Sequence, residues 1–168
     1  MELRLLKEEE LQEFINGIQE AFQQGYESYF GKCEQTIIPV QDIMVSYNAK
    51  GSKSYVMEGE GKIIGGAIIV INEDNHNELH ILYTKVGVQN KGVGFKIWET
   101  IEKLYPETKV WTTCTPYFDE RNINFYVNKC HFHIVEFINR YHGNDKFPEE
   151  FIGDAGEGMF EFEKVMPK

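Results

Sequence analysis

The segment from Gln89 to Gly94 combines residue types that could bind an anionic group. It follows an apolar run, Leu79 to Val88, and leads directly into a helix pattern from Phe95 to Leu104. N–H groups at a helix start favour anions, glycines let the main chain approach a ligand closely, and Lys91 adds positive charge. The segment therefore predicts a phosphate or pyrophosphate site, with a turn that serves only packing as the alternative.

Two familiar phosphate-binding motifs do not fit this segment. The Gly-Lys-Ser/Thr ending of a Walker A loop is missing. The dinucleotide-binding fingerprint lacks its first glycine, and no suitable acidic residue follows about 20 residues later after a second strand.

Two titratable residues, Glu78 and His80, lie on the strand predicted to precede this segment. Strict alternation along that strand would place on one face Glu78, His80, Leu82 and Thr84. A histidine side chain can accept a proton near neutral pH, which makes His80 a candidate general base. Glu78 would need a pKa raised by burial, or would act through a water molecule. A structural role for either side chain is the alternative.

Two stretches resemble the signatures of the GNAT acetyltransferase superfamily. Gln89-Asn90-Lys91-Gly92-Val93-Gly94 fits Gln/Arg-x-x-Gly-x-Gly/Ala, the loop that binds the pyrophosphate of acyl-CoA in that family. Downstream, the stretch from Arg121 to Phe132 resembles the second signature, a helix ending in Phe-Tyr-x-x-x-Gly-Phe. The order and separation of the two stretches also match the family, so the resemblance covers nearly the whole chain.

The resemblance implies an N-acetyltransferase that moves an acetyl group from acetyl-CoA to a small amine by direct attack in a ternary complex. The pantetheine arm would lie between two strands that splay apart, predicted at 78–88 and 109–115. The residues implied to bind the cofactor are two valines for pantetheine and the loop for the pyrophosphate: Val86, Val88, Gln89, Asn90, Lys91, Gly92, Val93 and Gly94.

The same resemblance implies roles in catalysis and in acceptor binding. Tyr126 matches the family tyrosine that protonates the leaving thiolate, a role that suits a phenol with a pKa of about 10. Glu78 and His80 stand where some members carry a base or hold a water molecule that acts as one, and in many members a chain of water molecules takes the proton without a dedicated base. Aromatic residues after the first predicted helix could line an acceptor pocket or belong to the core: Tyr26, Tyr29 and Phe30.

One residue departs from the family pattern, because His131 stands where the second signature has glycine. If that position has a positive φ, histidine tolerates it less well than glycine, and His131 could point into the active cleft. This departure supports a rival hypothesis, a catalytically inactive CoA-binding or interaction module of the same fold. A phosphate-binding domain outside the family is a third hypothesis. A metal site at Cys130, His131 and His133 is disfavoured, because no further ligand cluster is evident.

The predicted elements follow the order β-α-α-β-β-β-α-β-α-β-β within one domain, residues 1–168. This order predicts an α+β fold, a GNAT-like mixed, mostly antiparallel central sheet with helices on both faces. The first helix is predicted over 7–22, with Gly25 marking its end. In the third helix, Leu104 is predicted to share the buried face. Gly65 and Gly66 inside a predicted strand indicate a bulge or a close backbone approach.

The composition narrows the choice of partners. A formal net charge of −10 disfavours nucleic acid and fits a cationic acceptor such as a polyamine, with simple solubility as the alternative. No apolar run approaches the roughly 20 residues of a membrane span, and the start of the chain does not resemble a signal peptide. Three cysteines without metal-site spacing indicate reduced thiols and a cytoplasmic protein. The apolar loop at 147–152 could form a homodimer interface.

Overall fold

A computed structural model of the chain describes residues 1–88, 91–146 and 158–168. The strands in these ranges are β1 (Glu2–Leu5), β2 (Ser52–Gly59), β3 (Lys62–Val70), β4 (His76–Thr84), β5 (Val110–Pro116), β6 (His133–Ile138) and β7 (Met159–Val165). The α-helices are α1 (Leu11–Phe30), α2 (Val40–Tyr47), α3 (Val93–Leu104) and α4 (Glu120–Asn124), and α4 continues into a π turn (Phe125–Lys129). No helix in these three ranges is long and apolar enough to cross a membrane.

The strands form one sheet in the order β1-β2-β3-β4-β5-β7-β6. Every neighbouring pair is antiparallel except β4 and β5, which are parallel because the connection through α3 returns the chain to the same end of the sheet. The predicted fold class, a mixed and mostly antiparallel sheet in an α+β fold, is confirmed.

Two hydrophobic clusters cover the two faces of the sheet. One cluster contains the apolar sides of α1 and α2, and the other contains α3 and the π turn. Alternation within the central strand β3 supplies both clusters, since Ile68 belongs to the first and Ile69 to the second. Trp98 of α3 meets Trp111 of β5 edge to face, with ring centroids 5.1 Å apart, in the middle of the second cluster.

Strand β4 contains a β-bulge at His80. Ile68 pairs with Ile81 and the next residue, Ile69, pairs with Leu79, so His80 is the extra residue on β4. As a result Leu79 packs in the cluster of α3, whereas Ile81, two residues later, packs in the cluster of α1 and α2.

The bulge overturns the prediction that strict alternation holds along this strand. Glu78 and His80 lie on the face covered by α2, where His80 contacts Ser46. Leu82 packs instead against the cluster of α3, on the opposite face.

The parallel pairing of β4 with β5 is short. The paired residues run only from His76 and Val110 to Glu78 and Thr112, although both strands continue further. The bulge follows the last pair directly, and a bulge bends its strand. The two strands therefore diverge in a fork, as the family resemblance implies, and the hydroxyl of Thr113 donates a hydrogen bond of 2.9 Å to the Leu79 carbonyl at its apex.

Three predicted boundaries need correction. Helix α1 continues through Gly25 to Phe30 and ends where Gly31 takes a φ of 81°, because a solvent-facing glycine weakens a helix without ending it. Strand β4 ends at Thr84 and does not reach Val88. Leu104 is 50% exposed at the end of α3 and lies outside the buried face predicted for it.

The glycine pair in β3 shows both of the predicted features. Met57 pairs with Gly65 and Glu58 with Ile63, so a bulge adjoins the pair. A Cβ atom placed on Gly66 would lie 2.5 Å from the Tyr55 carbonyl oxygen and 2.8 Å from the Phe14 ring. The glycine therefore lets α1 pack directly on the sheet.

We expect Gly66→Ala to lower the free energy of unfolding by about 1–3 kcal/mol, because a main-chain carbonyl and a core ring would have to move. Gly25→Ala is the control, since no atom lies within 4 Å of its added Cβ and alanine favours the helix by about 0.5–1 kcal/mol. Urea unfolding of both variants and the parent measures the two effects. Equal stability of parent and Gly66→Ala would contradict the packing described.

Candidate functional site

The start of α3 faces the open side of the fork. Gly92 is the N-cap residue with a φ of 78°, a left-handed conformation that suits glycine. The first backbone bond of the helix runs from the Lys96 N–H to the Gly92 carbonyl, 3.0 Å. The N–H groups of Val93, Gly94 and Phe95 thus precede the helical ladder and are suited to an anion.

The remaining predicted loop residues are placed as follows. Lys91 is exposed beside the helix start, and Val93 is buried beneath it. A Cβ on Gly94 would lie 3.7 Å from the Phe125 ring and 3.8 Å from the Thr84 hydroxyl, which are ordinary contacts. The predictions for Gln89 and Asn90, like that of an interface at 147–152, lie outside the described residues.

Val86 and Val88 lie beyond the end of β4, which corrects the prediction that they continue that strand. They belong to a turn in which the Val88 N–H bonds the Lys85 carbonyl at 3.1 Å, and Gly87 has a φ of 97°. The part of β4 that borders the fork is Leu79–Thr84. This part of β4 could pair with an added strand, whereas the two valines lie in the turn that follows it.

Tyr126 lies beneath the apex of the fork, on the face covered by α3. Its side chain is 6% exposed and packs against Phe125, Phe132 and Phe162 at centroid distances of 5.3–5.7 Å. Burial raises the pKa of Tyr126, and a hydrogen-bonding interaction with Thr113 partly opposes this rise. The phenol is therefore protonated at neutral pH and can act as a proton donor.

The helix that carries Tyr126 contains one residue more than the family signature. Four residues, instead of three, separate Tyr126 from His131. The extra residue is accommodated in the π turn, where the Cys130 N–H bonds the Phe125 carbonyl at 3.0 Å. Tyr126 and Phe132, on either side of it, consequently both remain in the core.

His131 does occupy a left-handed conformation, with a φ of 65°. Its side chain is exposed and lines an outer groove between α3 and the π turn, together with Phe95, Lys129 and Lys164. Glu78 and His80 lie on the other face of the sheet. The expectation that His131 points toward the cleft is therefore wrong. The histidine that stands in place of the signature glycine changes the outer surface instead.

Glu78 and His80 form a linked pair on the α2 side of the fork. Nε2 of His80 lies 3.4 Å from Oε1 of Glu78, and Nδ1 lies 3.0 Å from Oγ of Ser46. The amide of Asn72 donates to the other carboxylate oxygen of Glu78, 3.3 Å away. The hydrogen bond with His80 lowers the pKa of Glu78 more than burial raises it. The raised pKa that a direct base at this position requires is thus not found.

A row of carboxylates extends from this pair across the same face. Phe160 and Phe162 of β7 pack in the cluster of α3, so Glu161 and Glu163 point to the opposite side. Glu163 pairs with Thr112 of β5, which itself pairs with Glu78. This Phe-Glu-Phe-Glu alternation is visible in the sequence and could have indicated an acidic surface at the site.

The outer end of the row is partly neutralised. Glu136 of β6 contacts Lys146 and, at 2.7 Å, His142, and the bond with Lys146 holds the pKa of Glu136 at about 2. Glu161 contacts the same lysine at 3.3 Å, yet burial raises its pKa. The Lys146 ammonium group therefore compensates the charge of Glu136 most directly. The carboxylates nearer the fork, Glu78 and Glu163, keep their attraction for a cationic ligand.

The aromatic residues near the end of α1 join this helix to the start of α4. Phe118 makes edge contacts with Tyr26, Tyr29 and Phe30 at centroid distances of 4.8–5.7 Å. The Tyr29 hydroxyl lies 3.2 Å from the Asp119 carboxylate and accepts a hydrogen bond from the Arg121 N–H. These contacts favour the packing alternative, while the exposed rings still border the same face of the sheet.

Comparisons with known proteins agree with this geometry. A model of the acetyltransferase (GNAT) family matches residues 12–132. The uncharacterized protein YrkN of Bacillus subtilis is 43% identical over 173 residues, covering 99% of this chain and 94% of that protein. An acetyltransferase of Bacillus subtilis (18% identical, TM-score 0.69) and the PaiA N-acetyltransferase of Thermoplasma acidophilum (17%, TM-score 0.66) each match over 98% of both chains. Both structures were solved with CoA, which supports acetyl-CoA as the acyl donor.

We expect Gly94→Glu to weaken acetyl-CoA binding by at least about tenfold, because a carboxylate would face the phosphates at the helix start. Gly94→Ala is the matched control: its Cβ makes only ordinary contacts, so it should fold and bind as the parent does. Calorimetric titration of the three proteins measures the dissociation constants. Unchanged binding by a folded Gly94→Glu protein would exclude this loop as the phosphate site.

Proposed function

This chain belongs to the GNAT acetyltransferase family, and on that premise we propose that it transfers an acetyl group from acetyl-CoA to the nitrogen of a small cationic amine. The observation that carries this proposal is the fork between β4 and β5, with a buried tyrosine on one face and a carboxylate–imidazole pair on the other. Donor and acceptor would meet at its apex in a ternary complex, and the amine would attack the thioester directly.

The start of α3 would hold the pyrophosphate of the donor. The N–H groups of Val93, Gly94 and Phe95 and the charge of Lys91 suit it. The arm of the cofactor would extend along the diverging part of β4 toward Thr113, which would bring the thioester close to Tyr126.

The row of carboxylates favours a cationic acceptor. Glu78, with its lowered pKa, is ionised at neutral pH, and Glu161 and Glu163 lie on the same face. Opposite charge would raise the local concentration of an ammonium substrate and orient it at the fork. A polyamine or another small amine with more than one charge fits this surface best.

Proton transfer would take place on both faces of the sheet. The ammonium group must lose one proton before its lone pair can attack the acetyl carbon, and His80, paired with Glu78, is the proposed acceptor. When the C–S bond breaks, the CoA thiolate would take a proton from the Tyr126 hydroxyl, and the second proton that the nitrogen loses as the amide forms would restore the phenol. No covalent acyl-enzyme is required, and Cys114, whose pKa burial raises to about 12, is poorly suited to act as a nucleophile.

We place this activity in the cytoplasm. Cys33, Cys114 and Cys130 are all free thiols, which agrees with a reducing compartment.

The deciding experiment measures CoA thiol release from acetyl-CoA with a panel of mono-, di- and polyamines, followed by mass spectrometry of the products. A mass increase of one acetyl group on a polyamine would support the proposal. Acetyl-CoA binding without thiol release in the presence of any amine would favour the inactive CoA-binding module. The π turn and His131 would then be the departures from the family pattern that accompany the loss of activity.

We expect Tyr126→Phe to lower kcat about a hundredfold with little change in the affinity for CoA, because the ring would still pack while the donated proton is lost. Tyr141→Phe is the control, since Tyr141 is 88% exposed and follows the edge strand β6, which β7 separates from β5. Steady-state kinetics and CoA titration separate the two quantities. An unchanged kcat would remove Tyr126 from the acid role.

We expect Glu163→Gln to raise KM about fivefold for a diamine and less for a monoamine, since one of the attractive charges is lost while the shape is kept. Glu8→Gln, an exposed carboxylate before α1, is the control. Initial rates at low and high salt measure the effect, which should shrink as salt screens it. If Glu163→Gln and the parent had the same KM for both amines, a role for this row in acceptor binding would be contradicted.

A further inference from the structure

We propose that Lys146 restricts the acceptor to amines of low charge, because its own ammonium group occupies the outer part of the row of carboxylates beside the fork. The inference rests on the proposed function, in which this row attracts the acceptor, and it narrows the acceptor from any multiply charged amine to a short diamine. Lys146 was not among the residues that the sequence indicated, because it lies in a polar, glycine-bearing stretch between two strands.

A turn after β6 brings Lys146 back to the sheet. Its N–H bonds the Gly143 carbonyl at 3.1 Å. Its ammonium group contacts Glu136 of β6 and lies 3.3 Å from Oε2 of Glu161 on β7. The chain therefore places one of its own cations between two carboxylates of the row.

This ammonium group acts on the same thiol as the carboxylate beside the fork. Cys114 is the residue of β5 directly after the apex. Burial and the charge of Glu161 raise the pKa of this thiol, and the charge of Lys146 opposes the rise. The charges of Glu78 on β4 and Glu136 on β6 also raise it. Lys146 thus lies within electrostatic reach of the place where the acceptor would bind.

The inner and outer halves of the row differ in charge. In the part of the chain that the structure describes, Glu163 forms no ion pair, and Glu78 is paired with an imidazole instead of a lysine or arginine. The outer carboxylates, Glu136 and Glu161, share one lysine. The hydrogen bond with Glu136 raises the pKa of that lysine, so its charge is present at neutral pH.

The spacing of the strands relates the row to the length of an amine. Neighbouring strands lie about 4.8 Å apart, so Glu163 on β7 is about 10 Å and Glu136 on β6 at least about 14 Å from Glu78 on β4. A four-carbon diamine spans roughly 6 Å between its nitrogens, and a triamine that is one propyl group longer spans roughly 11 Å. With the reacting nitrogen beside Glu78, a second cation would lie over the inner half, whereas a third would approach Lys146.

Repulsion between like charges at this point would disfavour the longer amine. A third ammonium group has to displace that of Lys146 from its two carboxylates or lie beside it, and both alternatives weaken binding. A short diamine meets neither, because the inner carboxylates have no lysine or arginine partner. The selectivity would come from a repulsive group that the chain itself supplies.

Calorimetric titration with putrescine and with spermidine, in the presence of CoA, tests the inference by binding alone. We expect Lys146→Met, which removes the charge, to bind spermidine about fivefold more tightly and putrescine within about twofold of the parent. Lys146→Arg keeps the charge and should bind both amines as the parent does. Lys53→Met removes an exposed lysine of β2, two strands from β4, and controls for the change in net charge.

A gain in affinity distinguishes this role from a purely structural one. If Lys146 only fixed the turn on the sheet, its loss would weaken the binding of both amines or leave it unchanged. Equal or weaker binding of spermidine by Lys146→Met, or a gain of the same size for putrescine, would therefore overturn the inference. Lys146→Gln, which also removes the charge, provides the same comparison if Lys146→Met does not fold.

Acetylation rates separate this inference from the proposed function. We expect the ratio of kcat/KM for spermidine to that for putrescine to rise about fivefold in Lys146→Met, through KM and not kcat, and the rise to shrink at high salt. An unchanged ratio would overturn the inference while leaving the acetyltransferase activity in place. Selective binding without acetylation of either amine by the parent would contradict the proposed function and leave the charge selectivity of Lys146 standing.

Discussion

The β-bulge at His80 is the constraint on which the site depends. One extra residue in β4, directly after the last pair with β5, bends the strand and separates it from its parallel neighbour. The same residue reverses the alternation of the side chains that follow it, so Ile81 packs beneath α1 and α2 and Leu82 packs in the other cluster, whereas Glu78 and His80 keep the common face that two-residue spacing gives them. The opening between the strands and the separation of Leu82 from the polar pair are thus two effects of one local insertion.

A second insertion, the π turn before His131, has the opposite character. Here the π turn accommodates one extra residue between Tyr126 and Phe132, and both of these side chains remain packed in the core. The aromatic contacts of Tyr126 and Phe132 with each other and with β7 hold the turn in place, and the added length appears as a histidine in a left-handed conformation at the surface. The bulge therefore builds the site, whereas the π turn leaves the buried side of the site unchanged.

The sequence predicted most of the architecture, because hydrophobic periods and glycine positions report local conformation. The order of the elements, the helix after the glycine-bearing loop and the close approach at Gly66 followed from such signals, although α3 begins at Val93, two residues before the predicted Phe95. Residues brought together by irregularities could not be predicted in this way. The bulge at His80 leaves no mark in composition, so the split of Glu78 from Leu82 depended on the register between strands. The end of β4 before Val86 was missed because valines continue the apolar pattern into a turn.

The separation of the two hydrophobic clusters by the sheet has a consequence for how such a protein can diversify. In the proposed reaction, the groups that suit the cofactor belong to the side of α3, and the groups that would face the acceptor belong to the side of α1 and α2. Substitutions among the carboxylates of β7 or on α2 would then alter the choice of acceptor without disturbing the packing that supports the donor. Acceptor preference and donor binding would be two nearly independent traits, coupled only through the few atoms at the apex of the fork.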